Sequence, residues 1–202
     1  MKPRAVVFDL GKVLVDFDWT RAARNLARHS SVEAVEIHRI LLSTPPLYQY
    51  ETGLLETAEF VSAMKKAIGF QADDEIFGRY FSDIFTPIVP MIELQSELRS
   101  IGVPVYIFSN TNDLAIRFVR REYPFFRNFN GYVLSYEHKS MKPQARLYEV
   151  VEEMTGFSGA EILYLDDRPE NVEAGQARGW QTVLHAAPEA TRAFLQRLAL
   201  VR

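Results

Sequence analysis

A chain of 202 residues, 48% hydrophobic and 24% charged, has the balance of a globular protein long enough to bury a substantial core. Its formal net charge of -3 argues against nucleic acid or an anionic membrane surface as partner, and the absence of cysteine excludes disulfides and thiolate metal sites. No apolar run has the length of a membrane span, and the cysteine-free composition suits a reducing cytoplasm, the expected location.

The first element is the apolar run Ala5 to Phe8, which reads as a buried strand and ends on a carboxylate, Asp9, within "AVVFDLGKVLVD". Residues 17–88 then carry helical periodicity near 19–29, 31–42, 57–68 and 73–85, broken by "TPPLYQYETG" and closed by "TPIVP", with no strand pattern. Further strands read at Val103 to Phe108, Tyr132 to Leu134, Ile162 to Leu165 and Thr182 to Leu184. They alternate with helices near 91–101, 112–122, 144–155, 169–178 and 189–199. Pro169 suits a first helical position, and Gly102, Gly156 and Gly179 read as helix stops. The alternation predicts an α/β fold, a doubly wound parallel sheet formed by 1–16 and 89–202, with an inserted helical cap at 17–88.

In such a sheet the carboxyl ends of neighbouring strands share one crevice, where ligands bind. Three strands end there on polar groups: Asp9 after "VVF", Ser109-Asn110 after "VYIF", and Asp166-Asp167 after "ILYL". Lys142, in "SMKPQARLY", lies ahead of a helix that reaches the same edge. Singly, these residues read as well as turns, helix caps or a surface amine. Together they form a kit for phosphoryl transfer: carboxylates for a hard cation, an amine for phosphate charge, and a carboxylate nucleophile.

The order of "FDLGKVLVD", "FSNTN", "MKPQARLY" and "LYLDDRPENV" resembles the four motifs of the haloacid dehalogenase superfamily. The likeness is to its phosphatase branch with a helical cap after the first motif, which includes sugar-phosphate phosphatases and the phosphatase domain of epoxide hydrolases, and "YETGLLETAEF" is similar to a stretch of those caps. The resemblance implies hydrolysis of a small phosphorylated metabolite with Mg2+ through an aspartyl-phosphate. It makes Asp9 the nucleophile, Ser109 a phosphoryl-binding group assisted by the Asn110 backbone, and Lys142 the amine neutralising both. It assigns Mg2+ to Asp9, the Gly11 carbonyl and Asp167, with Asp166 ligating or orienting from just outside. The cap residues Tyr48, Tyr50 and Glu51 are candidates for substrate specificity. No oligomeric state is implied.

Position 11 departs from the family, which usually carries there an aspartate that protonates the leaving group. General acid–base help contributes roughly 10²–10⁴-fold, so its loss points to a leaving group that departs unprotonated, such as that of a sugar 1-phosphate, unless another group compensates. The alternatives are a dehalogenase, which would not need the pair Asp166-Asp167, and a phosphate-binding regulator without turnover. Lys12 reads as a solvated amine, and Lys139 stands where glycine is common. "RFVRREYPFFRNF" interleaves arginine with aromatics but reads as a helix end with wet cations and buried rings, and the four histidines form no metal-ligand spacing.

Overall fold

Ala5–Phe8 form β1, buried along its whole length as a strand covered on both faces must be. In the computed structural model, which describes residues 1–43 and 45–201, β1 is the middle strand of a five-stranded sheet. The chain next makes β2 (Val15–Phe17), five helices α1 (Trp19–Ala27), α2 (Ala34–Ser43), α3 (Pro45–Glu51), α4 (Thr57–Ile68) and α5 (Asp74–Ser82), and β3 (Phe85–Pro87). It continues through α6 (Val89–Ser100), β4 (Val105–Ser109), α7 (Asp113–Glu122), β5 (Gly131–Leu134), α8 (Ser135–His138) and α9 (Ala145–Thr155). It ends with β6 (Ile162–Asp166), α10 (Pro169–Ala177), β7 (Gln181–Leu184) and α11 (Pro188–Arg197).

The sheet order is β5-β4-β1-β6-β7, all parallel, and Phe8 is level with Ile107 of β4 and Leu165 of β6. Alternation along the strands sorts the core into two layers. Val6, Phe8, Ile107 and Leu165 belong to the layer that takes Leu98 of α6, Val119 of α7 and Leu195 of α11. Val7, Phe108 and Tyr164 belong to the other, with Leu147 and Tyr148 of α9 and Trp180. Each fully buried Leu or Phe contributes about 1.5–3 kcal/mol, so the double layer fixes strand order and register. The helices that follow β4 and β6 pack on opposite faces, α7 on the first layer and α10, through Ala174, against the second. The carboxyl end of β1 therefore opens into a crevice between them.

The inserted helices leave and rejoin through a ribbon, β2 paired antiparallel with β3, in which Phe17 opposes Phe85. The sequence pattern shows no strand here, because three-residue strands are too short for alternation to register. Helix α3 forms where a break is expected. Its prolines stand in the first turn, where a missing N–H costs nothing, although the first residue of "TPPLYQYETG" lies outside the described residues. Helix α5 stops at Ser82 rather than near 85 because the chain turns there into β3. Tyr50 stacks on Phe60 at 4.3 Å and Phe60 meets Phe81 at 5.1 Å, giving the insertion an aromatic interior. It docks on the start of α7, where Leu114 N donates to the Tyr50 hydroxyl (3.0 Å) and the Thr57 hydroxyl to Asp113 Oδ2 (2.8 Å). Beyond α3, Gly53 has φ +73°, and a Cβ there would lie 2.0 Å from the Tyr136 carbonyl oxygen, so only glycine fits.

Candidate active site

Register alone brings the polar strand ends together, since Asp9 follows Phe8 at the level where β4 approaches Ser109 and β6 reaches Asp166. At the centre stands the Lys142 ammonium, whose side chain is 1% exposed. It donates to the Phe108 carbonyl (2.9 Å) and Asp166 Oδ2 (2.6 Å) and pairs with Asp9 Oδ1 (2.9 Å). Three donors meet three acceptors, and the ammonium also lies 5.1 Å from the Phe108 ring centroid. Burial works against this charge, but Asp9 and Asp166 outweigh it and raise the Lys142 pKa. The loop is held by Asn110, whose side chain accepts from Lys142 N (2.8 Å) and donates to Lys142 O (3.1 Å).

Asp9 accepts from Leu10 N (2.7 Å) and Lys142, both at Oδ1, which leaves Oδ2 for the cavity that Asp9 lines. Burial pushes its carboxyl up against the pull of Lys142, with Asp166 and Asp167 adding to the rise. Asp166 is fully buried and saturated: Oδ1 takes Arg168 N (2.8 Å) and Asn171 Nδ2 (3.0 Å), and Oδ2 takes Lys142 and the Tyr164 hydroxyl. Lys142 and these donors outweigh its burial and lower its pKa. Asp166 thus sits behind the wall, while Asp167 is partly buried, lines the cavity and has its pKa raised by burial and by Asp166. Ligand oxygens of Asp9, Asp166 and Asp167 lie within 4.8 Å of one another. Two of these carboxyls face one cavity with their charge disfavoured, an oxygen-donor set that suits a hard divalent cation.

The cavity, about 310 Å³, is also lined by Gly11, Lys12, Ser109 and Asn110. The buried Ser109 hydroxyl makes only a 3.4 Å contact with the Asn110 carbonyl, so it is available to a ligand. Lys12 has φ +58°, pairs with Asp16 and lies 4.6 Å from the Phe17 ring centroid, at the cavity mouth and partly in solvent. Lys139 has φ +51°, the left-handed conformation that explains why glycine suits its place. Of the three cap candidates only Glu51 lines the cavity. Tyr50 is consumed by packing and by its Leu114 and Thr57 bonds, and Tyr48 is exposed.

Sequence reading missed Asn171, which reaches back from the first turn of α10 to both Asp166 oxygens, and Asn112, which caps α7 through Ala115 N (3.0 Å). The tract "DDRPEN" held a signal for the first, an amide one turn beyond a strand-end carboxylate. The far wall gave none. Phe17, Trp19, Leu47, Phe81 and Phe85 line it, together with Ser82, whose buried Oγ has no hydrogen-bond partner.

A family model of haloacid dehalogenase-like hydrolases matches residues 3–179. The chain belongs to that family. It is similar to the haloacid dehalogenase family enzyme bt-2542 of Bacteroides thetaiotaomicron, solved in complex with magnesium and inorganic phosphate. The TM-score is 0.81 and the identity 26%, over 92% of this chain and 95% of that one. Among curated relatives, phosphatase MT3486 of Mycobacterium tuberculosis is 28% identical over 91% of this chain and 88% of its own length. The sesquiterpene phosphatase astK of Aspergillus oryzae is 28% identical over 87% and 86%. The L-2-haloacid dehalogenase of Xanthobacter autotrophicus shares the fold, at TM-score 0.65 and 19% identity over 96% of this chain and 83% of that one. No helix among the described residues is long and apolar enough to cross a membrane.

Proposed function

We propose that this hydrolase is a Mg2+-dependent phosphomonoesterase that works through an aspartyl-phosphate on Asp9 and acts on phosphate esters of largely apolar alcohols. The observation that carries the chemistry is the asymmetry of Asp9. Lys142 and Leu10 N hold Oδ1, which aims Oδ2 at the cavity as nucleophile. Ser109 and the Asn110 backbone would bind the phosphoryl oxygens. Asp166 orients Lys142, and Asp9, the Gly11 carbonyl and Asp167 would hold Mg2+. When bound, that ion neutralises phosphate charge and the repulsion between the two cavity-facing carboxyls. The structural neighbour solved with magnesium and phosphate and the relatives named as phosphatases support this reading over dehalogenation.

The leaving group is read from the far wall. Aromatic and aliphatic side chains dominate it, so we place an apolar alcohol ahead of the sugar 1-phosphate suggested by Gly11. The relative named as a sesquiterpene phosphatase agrees with that choice. Residues 17–88 are read as a cap that excludes water while the phosphoryl group transfers. The test is phosphate release from isoprenoid, aryl and sugar esters. We expect turnover that needs Mg2+, is lost in Asp9→Asn, and has a higher kcat/KM for the apolar esters; a preference for sugar phosphates would reverse the substrate assignment.

A further inference from the structure

An ordinary alcohol leaves phosphorus poorly without a proton; position 11 has no side chain to give one, and the neighbouring Lys12 ammonium is held in an ion pair by Asp16. At Gly11 a Cβ would lie 3.0 Å from Cε1 of Phe17, so the ring stands where an acidic side chain would start. Three carboxyl groups line the cavity: Asp9, Asp167 and Glu51. The first two are already engaged, as nucleophile and as cation ligand in the reading above. Glu51 remains.

Glu51 ends α3 and is tied to the phosphate-binding loop from two sides. Its backbone carbonyl accepts from the Ser135 hydroxyl (2.5 Å), and Thr111 N donates to that same hydroxyl (2.9 Å). Its carboxyl bonds the Asn112 side chain, whose carbonyl oxygen is occupied capping α7, so the amide nitrogen faces Glu51. Gly53, pressed against the Tyr136 carbonyl, fixes the exit of α3 just beyond. Glu51 is thus anchored beside the loop that begins at Ser109, in the lining of the same cavity. Burial pushes its carboxyl up to about 7, against the Asn112 hydrogen bond, so near neutral pH it holds a proton it can give and take back.

We propose that Glu51 is the general acid and base of this enzyme, supplied by the inserted helices in place of the acid absent from position 11. As Asp9 Oδ2 bonds to phosphorus, the bond from phosphorus to the alcohol oxygen breaks with its electron pair on oxygen, which takes the Glu51 proton. The alcohol leaves. Glu51 then takes a proton from water as the water oxygen bonds to phosphorus, and the bond to Asp9 breaks. Inorganic phosphate departs, and Asp9 is again a carboxylate and Glu51 again protonated. The inference rests on Asp9 as the nucleophile.

The test compares Glu51→Gln with the native enzyme on 4-nitrophenyl phosphate, whose phenolate leaves without help, and on 2-phenylethyl phosphate, whose alkoxide does not. We expect kcat/KM on the alkyl ester to fall by about 10²–10⁴-fold and on the aryl ester by less than about 10-fold. With the base also gone, kcat on the aryl ester falls and 4-nitrophenol appears in a burst matching the enzyme concentration. Equal losses on the two esters, or none, would overturn the proposal and leave Glu51 a positioning residue or a bystander. Glu51→Asp, which keeps the acid, is read the same way should the amide variant fold poorly; it retains more activity on the alkyl ester than Glu51→Gln. If instead Asp9→Asn still turns over the aryl ester, the underlying assignment fails, whatever Glu51 does.

Discussion

The carboxyl edge of the sheet and the inserted helices build the two halves of one cavity by different means. At the edge the buried charges behind the cavity are answered: the Lys142 ammonium has three acceptors, and both Asp166 oxygens are filled by donors. Across the cavity the walls are rings and aliphatic chains, with a hydroxyl that meets no partner, that of Ser82. The first half is preorganised for charge, and the second is shaped for an apolar body. On the proposed reading the strand ends set the chemistry and the helices the selectivity, with Glu51 supplied by the helices to the chemistry.

The largest break in this contrast comes from Lys142. Lys142→Ala leaves Asp9 and Asp166 as buried carboxylates without their cation, and we expect a loss of about 3–5 kcal/mol of stability together with loss of turnover. Urea unfolding followed by phosphate release checks both. Next, Gly53→Ala sets a Cβ against the Tyr136 carbonyl at positive φ. The expected cost is about 1–3 kcal/mol, and loosening of α3 should raise KM and lower kcat on alkyl esters while Mg2+ affinity stays unchanged.

Glu51 gives a pH signature. Its folded pKa, about 7, lies above the ordinary 4.5, so the native state holds the proton more tightly than the unfolded chain does. The resulting stability is present below pH 4.5 and is lost as pH rises towards 7. Glu51→Gln removes that loss, so its advantage in unfolding free energy over the native protein should grow between those pH values, by up to about 3 kcal/mol. A constant difference across the range would show that the carboxyl is not held neutral. The smallest effect belongs to Ser82→Ala. Removing a buried hydroxyl without a partner should leave the free protein as stable or up to about 1 kcal/mol more stable. A change in KM confined to alcohols with a polar atom far from the phosphate would show that this hydroxyl reads the substrate.

What the sequence made legible follows the same division. Strands β1, β4 and β6 and their terminal residues were readable because buried parallel strands are short apolar runs and the sheet dictates where they end. That logic brings Asp9, Ser109 and Asp166 together, and Asn110 holds the loop that adds Lys142 to them. The ribbon of β2 and β3 was not readable, and with it went the position of Phe17 over Gly11. The far wall depends on how five helices pack, and helical periodicity marks which face is apolar without marking what that face meets. Tyr50 shows the limit: its neighbours in sequence suggest a pocket residue, but stacking on Phe60 and a bond from Leu114 N turn it into a dock.

The two tryptophans stand in these two different surroundings. Trp19 lines the cavity, 5.4 Å from the Phe81 ring centroid, whereas Trp180 lies in the sheet's second layer with its indole N–H on Glu152 Oε1 (3.0 Å). Replacing Trp180 by Phe would leave a fluorophore that senses only the substrate chamber. Emission from that protein would then follow occupancy and product release in real time, with no label attached.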